Sequence, residues 1–440
     1  MVNPHSEMSI QIERSIYPMN HTRRISMIFY LVAVGGASVM CANPSQASAQ
    51  MSQDDKSTTD LPQELLPTSN SVVLQETQKL LPKFQKSETK HYIILSDSSP
   101  QDITMVGTLL ETTFLKYHEV CDSLGWKPKP LRHKLVAVMF RDQRNYNDFA
   151  TQVDKVTKAW AMGYYNPLAD RLVFYKSDSR ADVKKVMAEL HDQERQLQEA
   201  QAAQQSGGRA LRPNPDLAHV QDQVAAEKDR IHDATAGTFV STAVHEAAHQ
   251  LFFHTDIQRA RASYPLWLAE GLATNFETER INLVFGYQVD NWQRRDAFKQ
   301  ALEKDRIIPL EVLLTQDRFA DGKESAEDVG YFYAQAYALT NWMLRERPTE
   351  LRLYLEALLD GSFADAKSRK AEFELIFGPI PRIERNWVRY EGRREKDFLL
   401  SPYGKRVLAK LLNHPVATNV ATAPSSKSEE SLPSKNPDSR

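Results

Sequence analysis

Cysteine is almost absent, with Cys41 and Cys121 the only two in 440 residues. Cys41 sits beside an N-terminal apolar run that reads as a cleavable leader, so the mature chain keeps Cys121 alone and can form no intramolecular disulfide. An exported protein without disulfides must draw its stability from its core, and from a metal if it has one. An excess of charge is also missing. Lys and Arg number 55 against 57 Asp and Glu, a net charge of -2, which supplies no electrostatic footprint for nucleic acid or an anionic membrane. After residue 40 no apolar run approaches the ~20 residues needed to cross a bilayer, and no internal repeat is evident. What remains is a chain with 41% hydrophobic residues, enough at this length to fill a sizeable core.

The ends read as an address and a tail. Arg23 and Arg24 precede the apolar run Met27 to Met40, and Ala47-Ser48-Ala49 offers an A-x-A cleavage site. Residues 1–49 are therefore expected to be a signal peptide, and the protein to be exported to the periplasm, cell envelope or exterior. Thr22-Arg23-Arg24 resembles a twin-arginine signal, but Ser26 stands where a large apolar residue is usual, so the export route stays open. Residues 50–70, rich in Ser, Thr, Gln and Asp, read as a flexible linker, and the Ser-, Pro- and Ala-rich 413–440 as a disordered tail.

Between them, 71–412 reads as one α+β domain. Helices are expected over Val72–Phe84, Asp102–Leu124 and Gln143–Val153, and strands over His91–Ser96 and Leu135–Phe140. Ala161–Tyr175 reads as a hairpin turning at Asn166–Asp170. Residues 181–236 carry two apolar seams on charged helices, Val183, Met187, Leu190, Leu197 and then Leu217, Val220, Val224, Ile231, broken around Ser206–Pro215. This pattern predicts an inserted antiparallel helical hairpin, a candidate surface for a protein partner, with His191, His219 and His232 exposed on it. After Glu277 the chain is mostly helical, with helices expected near 291–304, 331–344, 349–359, 366–376 and 381–391.

The chemistry concentrates in His245-Glu246-Ala247-Ala248-His249, inside an apolar helix-like stretch from Thr238 to His254. Residues four apart on a helix differ by about 40° and about 6 Å, so both imidazoles can reach one ion. Glu246, turned by roughly 100°, can reach a water at that ion without ligating it. A catalytic zinc takes three protein ligands and leaves one position open. The segment Pro265 to Glu277 offers a third ligand, Glu270 or Glu277. Seven residues separate these two, so Glu277 can instead orient a ligand histidine, a role for which Thr274 and Asn275 are also candidates. His254 is turned about 180° from His245 and reads as a cap or surface residue.

Phe252 and Thr255 occupy the positions where a metzincin needs Gly and a third His. Trp267-Leu268-Ala269-Glu270-Gly271-Leu272-Ala273 instead resembles the W-L-x-E-G-x-A segment of gluzincin zinc peptidases, and among them the secreted peptidase-MA-like families of uncharacterised function. The likeness is tight over 238–277 and looser from about 90 to 390. It implies a zincin-like fold, with a small twisted, mostly antiparallel sheet lobe above a helical lobe and Zn2+ held by His245, His249 and Glu270 on the floor of the cleft between them. It further implies Glu246 as general base, and an edge strand, Leu172–Tyr175 or its partner, pairing with an extended peptide. Gluzincins often add a Tyr or His that stabilises the oxyanion. The segment Tyr331–Leu344 resembles the Y-x-Q helix beside the metal helix, which makes Tyr333 the candidate, with Tyr331 and Tyr337 as alternatives. The G-x-M-x-N recognition segment of zinc aminopeptidases does not precede the helix, so an endopeptidase is expected.

Overall fold

The computed structural model describes residues 71–413 apart from 157–160, 207–214, 260–261, 318, 320–324, 360–362, 364 and 395–400. The leader, the linker and the tail after Asn413 lie outside the described residues.

Two runs with almost no polar residues set the centre of the sheet. β2 (Tyr92–Ser96) and β3 (Leu135–Phe140) are buried at every position, as expected for strands covered on both faces. The chain enters through α1 (Ser71–Leu80) and β1 (Gln85–Glu88), and α2 (Pro100–Ser123) links β2 to β3. α3 (Gln143–Gln152), β4 (Gly163–Asn166) and β5 (Arg171–Tyr175) follow. The sheet order is β1-β2-β3-β5-β4. β2, β3 and β5 run parallel, and β1 and β4 flank them antiparallel. The sheet is thus mixed rather than mostly antiparallel. The helical crossover α2 brings β3 back in the direction of β2, whereas the tight turns after β1 and β4 reverse the chain.

Alternate residues face opposite layers. Ile93, Leu95, Val136, Val138 and Val173 pack with α1 and α3. Ile94, Ala137, Met139, Leu172 and Phe174 point to the other side, into a core continuous with the helical part of the molecule. Cys121 lies buried in that core, and burial pushes its thiol up to about 12, which leaves it inert.

α4 (Ala181–Ser206) and the first half of α5 (Pro215–His254) form the expected hairpin, closed by Val183, Leu190, Leu197, Val224 and Ile231. Its second arm does not end before the metal helix. α5 is one helix of 40 residues, about 60 Å long, whose C-terminal half passes beneath the sheet. His191, His219 and His232 are exposed on the hairpin as expected.

Around that half pack α6 (Leu266–Thr274), α7 (Trp292–Glu303), α8 (Leu310–Thr315), α9 (Ala326–Glu346), α10 (Pro348–Leu358), α11 (Ala366–Phe377), α12 (Ile380–Arg394) and α13 (Pro402–Asn413). β1, α8 and α13 were not anticipated. β1 reads Gln-Lys-Ser-Glu and α8 is six residues long, so neither carries a periodicity to read.

Candidate metal centre

The second half of α5 changes character at Thr238. Behind it lies a charged surface helix, and beyond it every residue from Ser241 to Phe252 is buried. Ala243, Val244, Ala247, Ala248, Leu251 and Phe252 sink it into the core, and the small residues let neighbouring elements approach. β4 comes close because Gly163 carries no side chain there. A Cβ would lie 2.9 Å from Thr242 Cγ2 and 3.1 Å from Phe174 Cβ. α6 meets α9 by the same device at Gly271, where a Cβ would stand 2.7 Å from the Ala336 carbonyl oxygen and collide with Thr340. That contact seats Glu270, the preceding residue, over α5.

Three ligand atoms converge as a result. His245 Nε2 is 3.1 Å from His249 Nε2, and Glu270 Oε2 is 3.2 Å from the first and 3.6 Å from the second. Ligands about 2.0–2.1 Å from a tetrahedral ion stand roughly 3.3 Å apart, so the three atoms sit at metal-ligand spacing. The outward atoms of two of these side chains are unpaired by distance and angle. Glu270 Oε1 and His249 Nδ1 are buried with no hydrogen-bond partner among the described residues. The group can hold a metal ion.

Glu277 lies on the far side of His245, with Oε1 2.8 Å from Nδ1. It stands outside the group of three, and by accepting from Nδ1–H it leaves Nε2 to face the cluster, the placement of a carboxylate that orients a histidine. Arg294 holds Glu277 in turn, donating from Nε and Nη2 at 2.7 Å each, and Asn291 donates at 3.1 Å. Spacing alone did not single out Arg294 or Asn291. Asn291 N-caps α7, and that cap brings Arg294 to the site. Thr274 and Asn275 do not orient a ligand. Both donate to the Gly271 carbonyl and close the end of α6.

Burial alone would lower the His245 pKa, but its hydrogen bonds to Glu270 and Glu277 and the nearby Glu246 push it up to about 10. Burial would raise Glu270, but both histidines hold it down to about 2. Glu277, which burial would likewise raise, is held low by Arg294 and His245. The site attracts positive charge, and without a metal the proton on His245 provides it.

Glu246 stands beside the ligand set. Its Oε2 accepts from the Tyr165 backbone N–H of β4 at 2.9 Å, so the edge of the sheet fixes the carboxylate. β4, not Leu172–Tyr175, is the sheet edge here, because β5 is enclosed between β3 and β4. Of the three tyrosines on α9, Tyr333 is the one beside the cluster, its ring 6.4 Å from that of His245 and under the Arg294 guanidinium. Burial and the charges of Glu270 and Glu246 push its hydroxyl well above the usual tyrosine range. Tyr331 donates to Glu327, and the Tyr337 hydroxyl accepts from the Asn291 backbone. Expected at the floor of a cleft, these groups are buried: His245, Glu246, His249, Glu270 and Tyr333 are each 0–1% exposed. His254 is neither a cap nor a free surface residue, since its Nε2 lies 2.6 Å from Asp170 Oδ1.

Residues 239–360 match a family described as a protein of unknown function (DUF1570). The match spans the buried half of α5 through α10, and so every residue of the centre except the Tyr165 backbone contact. No curated protein matches the chain.

Proposed function

We propose that the protein is an exported zinc-dependent peptidase of gluzincin type on a zincin-like fold, with His245, His249 and Glu270 as ligands and Glu246 as general base. The observation that carries the reading is the ligand count. Three side chains converge, and among the described residues no fourth His, Cys, Asp or Glu joins them. Catalytic zinc sites keep three protein ligands, whereas structural sites are closed by four. Donors of two imidazoles and one carboxylate suit zinc.

Zinc there would supply Lewis acidity, acidifying a water and polarising the carbonyl of an amide bond. The chain's own groups handle the proton and the charge. Glu246, held by the Tyr165 N–H, takes a proton from the water and delivers it to the leaving amine. The Tyr333 hydroxyl, kept protonated by its surroundings, donates a hydrogen bond to the oxygen on which negative charge grows. Glu277 keeps the His245 ring in one tautomer, and Arg294 keeps Glu277 ionised. β4, an edge strand whose Tyr165 backbone N–H meets Glu246, supports an extended peptide as substrate by strand addition.

A second reading draws on the burial of the cluster. In it zinc only staples α5 to α6, and the α4–α5 hairpin engages a partner. Zinc content and cleavage of a broad peptide library, measured for wild type and Glu246→Gln, decide between them. Equal zinc with cleavage by wild type alone supports the peptidase. Equal zinc with no cleavage by either supports the staple, and no zinc in either rejects both.

A further inference from the structure

A second group of metal-ligating side chains lies at the other end of the helix half that carries the first. His254 is the last residue of α5, nine residues and so about 13 Å along the axis from His245. Its Nε2 stands 2.6 Å from Asp170 Oδ1, in the turn between β4 and β5. His133, from the segment before β3, faces His254 edge-on with ring centroids 5.3 Å apart. One ligand atom from each of the three lies within 4.8 Å of the others.

One histidine is enough to pair with one carboxylate. The second needs another reason to be there. His133 Nδ1 is 3.1 Å from the Lys134 carbonyl oxygen, to which it can donate, and this tautomer leaves the lone pair on Nε2. That is the arrangement of a ligand histidine, fixed through its outer nitrogen by a backbone carbonyl. Asp170 is fixed as well, since its Oδ1 accepts from the Tyr165 hydroxyl at 3.2 Å. A helix C-terminus adds the negative end of its dipole and favours a cation beside His254. All three residues are half-buried, so solvent reaches the group and can fill a fourth position.

We propose that His133, Asp170 and His254 form a second divalent-metal site, of zinc class, that ties the β4–β5 turn and the segment before β3 to the end of α5. Two imidazoles and one carboxylate match zinc and its later first-row neighbours rather than calcium or magnesium. Bringing the atoms to ligand spacing takes at most about 1.5 Å of side-chain movement. The proposal is independent of the peptidase reading.

The test is zinc stoichiometry. The full chain, stripped with a chelator, is dialysed against micromolar zinc and analysed for metal and protein. Asp170→Asn and His133→Ala should each hold one zinc fewer than wild type. His245→Ala/His249→Ala should lose a different equivalent and keep this one. Asp170 has φ +45°, a conformation in which Asn is at home, so Asp170→Asn keeps the turn and an acceptor for Tyr165. His133→Ala removes a half-buried ring, and circular dichroism checks the fold of both. Unchanged zinc in both variants overturns the proposal and leaves an ordinary Asp170–His254 ion pair.

Discussion

Glu277 is where the structure makes its most demanding prediction, because two separable roles meet on one carboxylate. Its side chain is 2% exposed and lies between His245 and Arg294, whose side chain is 6% exposed. Glu277→Gln keeps the volume and removes the charge. An amide offers one acceptor oxygen where the carboxylate served His245, Arg294 and Asn291 together, and its NH2 then faces a donor. Leaving a buried charge without its partner costs about 3–5 kcal/mol. Glu270 also faces Arg294, so the low end, about 3 kcal/mol, is expected in chemical unfolding. Zinc affinity should fall as well, by about 10–100-fold, the usual effect of losing the group that orients a ligand histidine. The pair Glu277→Leu/Arg294→Met separates the two roles. Replacing both partners of a buried pair with apolar groups is often near neutral, so the double variant should recover most of the stability and none of the affinity. Unfolding midpoints and zinc competition against a chromogenic chelator measure the two quantities. Affinity within twofold of wild type in both variants would refute the orienting role. Stability unchanged in the single variant would refute the buried pair.

Further outcomes follow from the same geometry. In the metal-stripped protein His245 has a pKa raised from 6.5 to about 10, so its contribution to stability is full below pH 6.5 and is lost as pH rises through about 10. Glu270, lowered from 4.5 to about 2, contributes stability present above pH 4.5 and lost as pH falls through about 2. Zinc must displace the His245 proton, so affinity should rise about tenfold per pH unit between roughly pH 7 and 9, and a flat profile by calorimetry would contradict this. Gly271→Ala should destabilise by about 1–3 kcal/mol or more, and adding Thr340→Ala should restore only part, because the Ala336 carbonyl still blocks the Cβ. Tyr333→Phe should lower kcat by about 10²–10³-fold with zinc content and KM unchanged, and an unchanged kcat would reduce Tyr333 to a core residue.

Legibility followed the physics of each element. Leu135–Phe140 was readable to the residue because six consecutive apolar side chains admit few other fates. The hairpin was readable because its seam repeats at helical spacing on an otherwise charged surface. Strand direction was not readable, since pairing depends on which crossover the chain takes and leaves no local mark in β2 or β3. The His-Glu-x-x-His spacing placed His245, Glu246 and His249 on a helix by arithmetic. Glu270 against Glu277 could not be settled that way, because seven residues return to nearly the same helix face. The structure separates them because α6 ends at Thr274, which carries Glu277 off the helix and round to His245 Nδ1. Arg294 and the Tyr165 N–H come from distant elements and have no signal near the motif.

The choice between a proton and a divalent ion at this centre can be argued from charge alone. Glu246, Glu270 and Glu277 are all buried, and so is Arg294, whose guanidinium pairs with Glu277. Counted as ionised, these four groups leave two negative charges in a place from which water is largely excluded. A proton on His245 cancels one of them. The remainder stays uncompensated in a medium where isolated charge is costly. A divalent cation would cancel both and return His245 to the neutral form that ligation requires. It would also sit where His245, His249 and Glu270 present donor atoms at ligand spacing. The same count explains why Arg294 pairs with Glu277 rather than turning towards the cluster. A guanidinium at that point would fill the space an ion needs and leave Glu277 only His245 and Asn291 as partners.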